Sequence, residues 1–263
     1  MKKVLVAVAF CAVTLLAAGP ASALFTNGGF ETGDFTGWTI TEGNNPYHQP
    51  VNWGDYNPSY AYIAPTNTVV STSTTATSLM PYFPGVYNDS YMAKINDIYG
   101  LYHATKLSQS DTVDAADVAT GGSIYVNWGA VLDNPGHPTG ENPYFQIDVL
   151  RNGVNIGNFF ATSTDAATPG SNWTNVGYYG GDVLWYRAGQ FEFSMANFGL
   201  GDVVTVEMSI FDCSQGGHGA YAFLDGISAG TAPPPPPGES VPEPGTMMLL
   251  GSGLVGLAAW RKK

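Results

Sequence analysis

The chain has 263 residues with a formal net charge of −12 at pH 7, and it is rich in Gly, Pro and Tyr but poor in charged side chains. Residues 24–230 hold 19 acidic and four basic residues, a formal charge of −15. Such a surface repels nucleic acid and anionic lipid, so the composition excludes nucleic acid as a partner. The length of this span suits one large domain.

The N-terminus has the three parts of a secretory signal peptide. Met1-Lys2-Lys3 is positively charged, residues 4–18 are apolar, and Ala21-Ser22-Ala23 offers the small residues of a cleavage site. We therefore predict that residues 1–23 are removed and that the protein is exported. Of the two cysteines only Cys213 then remains, so no internal disulfide can form.

The mature chain opens with Asn27-Gly28-Gly29-Phe30-Glu31, and its last predicted strand reads Tyr221-Ala222-Phe223-Leu224-Asp225-Gly226-Ile227. This pairing resembles the galactose-binding-like and carbohydrate-binding-module jelly rolls, in which the opening and closing strands lie side by side. The resemblance implies a structural Ca²⁺ held by Glu31, Asp225 and backbone carbonyls, which suits the preference of Ca²⁺ for oxygen ligands. The alternative is that both acids are solvated turn residues. Phe30 and Trp38 are expected to fill the core.

Residues 45–57 combine polar and aromatic side chains in a segment that looks like a loop. Aromatic faces stack on sugar rings while polar groups bind hydroxyls, so this loop is the predicted glycan-binding site, with candidates Tyr47, His48, Trp53, Asp55 and Tyr56. Further tyrosines could extend the groove: Tyr82, Tyr87, Tyr99 and Tyr102. In the alternative interpretation these aromatic side chains cover the edges of the core beneath long loops.

The domain between the two ends is predicted to be all-β. Residues 123–128, 144–150, 191–193 and 203–210 are rich in β-branched and aromatic residues, each run fits a half-buried strand, and Asn152-Gly153 predicts a hairpin. Only residues 114–119 look helical. Many short strands with frequent Gly and Pro predict an antiparallel β-sandwich, specifically a jelly roll, over residues 24–230.

A second motif reads Asp212-Cys213-Ser214-Gln215-Gly216-Gly217-His218, with Asn134-Pro135-Gly136-His137 upstream. It resembles a stretch of secreted bacterial surface modules that have no settled activity. His137, Cys213 and His218 could bind Zn²⁺, or Cys213 and His218 could act as nucleophile and base. A third interpretation makes Cys213 a small buried hydrophobic residue and has His218 bind a loop. The acidic surroundings disfavour a reactive thiolate, and no catalytic carboxylate pair stands out, so we predict a protein without enzymatic activity.

The C-terminus combines a proline-rich spacer with a sorting signal. Residues 231–241 contain five consecutive prolines, which favour a semi-extended polyproline II stalk. Pro242-Glu243-Pro244, an apolar run at 246–260 and the basic end 261–263 follow. This order resembles the PEP-CTERM sorting signal of Gram-negative bacteria, and the resemblance implies processing by an exosortase in an exopolysaccharide setting. The alternative is an ordinary C-terminal anchor.

The apolar run would be short for a membrane span. As a helix it extends roughly 22 Å, compared with a hydrocarbon core of about 30 Å, which favours a transient anchor at residues 242–263. Taken together, the sequence predicts a secreted, surface-located protein that binds glycan or exopolysaccharide without catalysis. A purely structural envelope or adhesion protein and a secreted hydrolase are the alternatives.

Overall fold

The computed structural model describes residues 24–45, 52–53, 65–138, 141–168 and 171–237. The predicted signal peptide and the sorting signal at Pro242, Glu243 and Pro244 lie outside the described residues. Across the described ranges, none of the helices has the length and apolar character needed to cross a membrane.

Strands are the main regular structure of the described residues. The strands are β1 Thr39–Asn44, β2 Asn52–Trp53, β3 Thr68–Ser71, β4 Tyr91–Ile95, β5 His103–Thr112, β6 Ser123–Asn134, β7 Tyr144–Arg151, β8 Val154–Thr162, β9 Thr174–Tyr179, β10 Asp182–Ser194, β11 Val203–Phe211 and β12 Ala220–Gly230. The helices are short: α1 Ala115–Thr120, α2 Ser163–Ala166 and one 3₁₀ turn at Met195–Asn197.

The strands form two six-stranded sheets in which every pairing is antiparallel. The first sheet has the order β2-β1-β5-β11-β7-β8, and the second has the order β3-β4-β12-β6-β10-β9. The chain crosses between the sheets at most connections from β4 onward, so six of the ten neighbouring strand pairs in the described structure join strands that are not consecutive in sequence. The predicted antiparallel jelly-roll sandwich is confirmed.

Local sequence signals account for the predicted elements. Asn152 and Gly153 have φ of 52° and 79°, which are the left-handed values required by the two-residue turn between β7 and β8. Asp114 caps α1 by accepting the backbone N–H groups of Ala116 and Asp117, and the Asp117 side chain accepts from the Asp114 backbone in return. The predicted hairpin and helix are therefore both confirmed.

The opening segment differs from the predicted strand. Residues 24–38 form a series of turns, with Asn27 and Phe30 at positive φ, and β1 begins only at Thr39. The segment still lies beside β12, because the Ile227 N–H donates to the Gly28 carbonyl at 3.0 Å. A side chain at Gly28 would collide with the Ile227 carbonyl, so glycine is required there. Phe30 belongs to the core, as expected.

The sandwich has a second apolar layer outside the second sheet. Residues 80–87 cover that face, and the cluster there includes Tyr87, Met92 and Tyr221. Gly129 leaves room for the Tyr87 hydroxyl, which meets the Tyr186 hydroxyl at 3.0 Å. Tyr82 packs against the same cluster. Tyr82 and Tyr87 therefore cover a core instead of extending a sugar-binding groove.

Lys94 lies in β4 beneath this cover and is only 2% exposed. Its Nζ donates to the Thr66 carbonyl at 2.8 Å, and burial lowers the pKa of Lys94 to about 8 although Asp97 opposes the shift. Below pH 8 the folded protein therefore holds a buried charge, while from about pH 8 to 10.5 the unfolded chain binds more protons and stability rises with pH.

We expect Lys94→Met to raise the free energy of unfolding at pH 7 by roughly 1–2 kcal/mol, since the buried ammonium is removed. Urea unfolding at pH 7, 8, 9 and 10 measures the effect. The wild type should gain stability across this series more than the variant does. If the free energy of unfolding changed equally with pH in the two proteins, Lys94 would not be the cause of the rise in stability.

The first residues of the predicted stalk lie against the domain. The Asn127 side chain donates to the Pro234 carbonyl at 2.6 Å, and Gln190 donates to the Pro233 carbonyl at 3.0 Å and to Asn127 at 2.9 Å. Pro236 is buried. Residues 233–236 therefore contact the second sheet. This part of the predicted stalk does not act as a free spacer.

Candidate functional sites

The predicted calcium ligands converge where the opening segment meets β12. Glu31 accepts the backbone N–H of Tyr91 at 3.0 Å, and Asp225 accepts those of Asn88 at 2.8 Å and Gly226 at 2.7 Å. An ideal Cβ at Gly29 would lie 3.6 Å from the Glu31 side chain and 3.8 Å from Asp225 Oδ1. The two carboxylates therefore share one small region of the molecule.

The electrostatics of this junction suit a cation. Burial raises the pKa of Asp225 to about 7, and the carboxylates of Glu31 and Asp89 add to the shift. Asn88 Nδ2 is buried there without a hydrogen-bond partner among the described residues. The opposite amide orientation would present an oxygen at that point, and oxygen is the atom that Ca²⁺ binds. The residues present therefore fit a calcium ion.

The structure also brings together the second predicted set, His137, Cys213 and His218. One ligand atom from each lies within 4.8 Å of the others. His218 Nδ1 is 3.2 Å from His137 Nε2 and 3.4 Å from Cys213 Sγ. Asp182, which the sequence did not single out, lies on the other side of the ring, 3.3 Å from His218 Nε2. His137 lies between β6 and β7, and the other two ligands lie between β11 and β12.

A different surface lies on the outer side of the first sheet, over β7 and β8. We call it the β7–β8 face, and it consists of Tyr144, Gln146, Asp148, Asn158 and Phe160. Phe145, Ile147 and Val149 point into the core. Because successive side chains of a strand point to opposite faces of the sheet, the residues of β7 between them point outward. Gln146 pairs with Phe160 and Asp148 with Asn158 across the two strands. Phe160 is 52% exposed.

Aromatic rings form one end of the β7–β8 face. The Tyr144 ring lies 5.1 Å from that of Phe160 and stacks on Phe211 at 4.1 Å. Burial and the nearby Asp148 raise the pKa of Tyr144 to about 12, so its hydroxyl remains a donor at neutral pH.

Polar groups form the rest of this face. The Gln146 side chain donates to Asp148 Oδ2 at 2.6 Å, and Asn155 donates to Asp148 Oδ1 at 2.6 Å. Glu207 on β11 lies beside Asp148 and forms a 3.0 Å ion pair with Lys106. The strand alternation Tyr144-x-Gln146-x-Asp148 was the sequence signal that could have predicted this surface.

The loop predicted to bind glycan is largely outside the described residues. Tyr47, His48, Asp55 and Tyr56 all lie there. The Trp53 backbone pairs with Gly43 at the edge of the first sheet. Of the other two proposed aromatics, Tyr99 is 46% exposed and Tyr102 is half-buried.

Fold and sites together describe an antiparallel β-sandwich with two clusters of candidate metal ligands and an exposed aromatic face. Residues 240–263 match the PEP-CTERM protein-sorting motif, so the chain carries that C-terminal sorting signal. The predicted sorting signal is thereby confirmed. Among curated proteins, none matches the chain.

Several solved structures have a similar arrangement of strands. One is a non-crystalline cellulose specific carbohydrate-binding module, CBM28, with 12% identity, a TM-score of 0.40, and coverage of 78% of this chain and 94% of that one. Another is a cyclase from Fischerella sp. TAU, with 13% identity, a TM-score of 0.39, and coverage of 81% and 98%. A third is the enzymatically active domain of tailspike protein 4 from bacteriophage CBA120, with 10% identity and a TM-score of 0.39.

This third match covers 79% of this chain but only 21% of the tailspike chain. The three structures include enzymes as well as a binding module.

Proposed function

We propose that this protein is an exported, surface-located module that binds an extracellular polysaccharide through the β7–β8 face. The sorting motif at residues 240–263 supports export. The observation that carries the proposal is an exposed phenyl ring at Phe160 next to a half-buried tyrosine, with amide and carboxylate side chains in adjacent register positions.

This combination of groups is what a sugar requires. The face of a sugar ring is apolar and packs on an aromatic ring, while its hydroxyls need both donors and acceptors. Tyr144 and Gln146 supply donors, and Asp148 supplies acceptors. On the outer side of the second sheet, residues 80–87 cover much of the surface with apolar side chains. In the described structure the first sheet therefore provides the better surface for a polysaccharide chain.

The acidic charge of the domain narrows the choice of ligand. Residues 24–230 carry a formal charge of −15, which repels anionic polymers. A neutral polysaccharide is therefore the preferred partner. The exosortase that processes PEP-CTERM signals and a Gram-negative envelope are part of the same proposal, and they rest on the sorting motif alone.

The domain can be tested directly against neutral polysaccharides. Purified residues 24–237 are run through native gels that contain β-glucan, mannan, xylan or galactan, next to a gel without polysaccharide. We expect one or more of these polymers to retard the protein, without release of reducing ends. Equal mobility in every gel would favour the structural alternative. Release of reducing ends would favour a hydrolase, for which Asp148 and Glu207 are the neighbouring carboxylates.

We also propose that a structural Ca²⁺ binds where Glu31 and Asp225 converge. The support is the pair of carboxylates, the buried amide of Asn88 and the position of the junction at the two ends of the domain. An ion there would link the opening turns to the last strand in a protein with one mature cysteine. When bound, Ca²⁺ would supply structural cross-linking and no chemistry.

A further inference from the structure

The cluster of His137, Cys213 and His218 has the spacing of a transition-metal site. In a tetrahedral zinc site with Zn–N of about 2.0–2.1 Å and Zn–S of about 2.3 Å, neighbouring ligand atoms lie roughly 3.3–3.6 Å apart. The His137 Nε2–His218 Nδ1 distance is 3.2 Å, and the Cys213 Sγ–His218 Nδ1 distance is 3.4 Å. Two imidazoles and a thiol therefore stand close to the positions that one metal ion would require.

The loop between β11 and β12 is built to hold two of these ligands on the same side. The Cys213 backbone N–H donates to the His218 carbonyl at 2.9 Å, and the Gly216 N–H donates back to the Cys213 carbonyl at 3.2 Å. Gly216 makes this closure possible with a φ of 78°. The Gly217 N–H points at Cys213 Sγ at 3.4 Å.

Asp182 contacts the ring nitrogen of His218 that faces away from His137 and Cys213. Its Oδ2 lies 3.3 Å from His218 Nε2, so the proton of the neutral ring is held on that nitrogen. The lone pair of Nδ1 then faces His137 and Cys213. A carboxylate that accepts from the distal nitrogen of a metal-binding histidine is the usual outer-shell arrangement around zinc.

The same atoms could be arranged for nucleophilic catalysis, with Cys213 attacking and His218 as base. Burial argues against it, because Cys213 is 0% exposed and a substrate could not reach its sulfur. A metal ion needs only a narrow path, and the side chain of His218 is 22% exposed.

We infer that His137, Cys213 and His218 bind one zinc ion, with water in the fourth position and Asp182 orienting His218. The ion joins the loop between β6 and β7 to the loop between β11 and β12. It thus supplies a cross-link that a chain with one mature cysteine cannot obtain from a disulfide. The inference does not depend on glycan binding.

The test uses metal-free protein, residues 24–237, titrated with Co²⁺ and then with Zn²⁺. Cobalt at a site with a cysteine ligand gives a thiolate-to-metal absorption band. We expect this band to saturate at one equivalent and to disappear when Zn²⁺ is added. His137→Ala, in a surface loop, should bind Zn²⁺ at least 100-fold more weakly, and Cys213→Ser should lose the band.

Asp182→Asn separates the orienting role from a purely structural one. We expect it to weaken zinc binding by about 10- to 100-fold with the absorption band retained. Asp165→Asn, an exposed acid in α2, is the matched control and should bind like wild type. Far-UV circular dichroism confirms that each variant is folded. Wild-type protein without the cobalt band, or folded His137→Ala with unchanged zinc affinity, would overturn the inference.

Discussion

Asp212→Ala is expected to lower the free energy of unfolding by about 3–5 kcal/mol, one of the largest effects of any single substitution in the domain. The Asp212 carboxylate is fully buried and lies at the junction of β11, β12 and the segment before β5. It accepts the backbone N–H groups of Leu101, His103 and Ala220 at 3.2, 2.9 and 3.2 Å. It also accepts the Asn96 side chain at 3.0 Å. Alanine would leave all four donors buried without their acceptor.

Burial raises the pKa of Asp212 well above its ordinary value, while hydrogen bonds from the backbone N–H groups oppose that shift. Asp212→Asn keeps the shape and one acceptor oxygen, so we expect a smaller loss of roughly 1–2 kcal/mol. Guanidinium unfolding monitored by tryptophan fluorescence measures both variants, with Asp165→Ala as the exposed control. An alanine variant that loses less than about 1 kcal/mol would contradict this role.

Removal of Ca²⁺ should lower the melting temperature by about 5–10 °C, and Asp225→Ala should abolish the response to calcium. A ligand that binds only the folded state stabilises it by about 3–4 kcal/mol at 100 to 1,000 times its dissociation constant, which in a domain of this size corresponds to that shift. Protein is stripped on a chelating resin and melted with and without added CaCl₂.

The quantity to compare is the calcium-dependent difference in melting temperature, because Asp225→Ala could destabilise the fold by itself. Glu31→Gln should reduce the same difference, and Asp165→Asn should leave it at the wild-type value. A wild-type transition that is unchanged by calcium would remove the calcium site and leave the proposed glycan function untouched. A full calcium response in Asp225→Ala would place the ion elsewhere.

The strands were predictable because each signal is local. Alternation in residues 144–150 and 203–210 reports which side chains face the core, and Asn152-Gly153 determines the turn between β7 and β8. The turns of residues 24–38 were not predictable in the same way. Asn27 and Phe30 adopt left-handed backbone conformations because the Gly28–Ile227 contact and the core around Phe30 require them. Those requirements come from the other end of the chain.

Some residues of the candidate sites could likewise be predicted from local sequence, whereas others are brought together only by the fold. His218 follows Cys213 by five residues, so their proximity is visible in the sequence, and the upstream motif pointed to His137. Asp182 could not be foreseen, because only the position of the β9–β10 turn brings it to His218. Tyr144 and Phe160 were likewise missed as a pair, since their rings meet only after β7 and β8 come into register.

The most direct measurement of the central claim is affinity gel electrophoresis with the retarding polysaccharide at a series of concentrations. Phe160→Ala and Tyr144→Ala should each weaken binding by about 10- to 100-fold, since each removes roughly 1–3 kcal/mol of aromatic contact. Tyr178→Ala is the control, because Tyr178 is 68% exposed but lies on β9 of the second sheet. We predict retardation that is lost in the first two variants and kept in the third. Retardation that is equal in all three would contradict a binding site on the β7–β8 face.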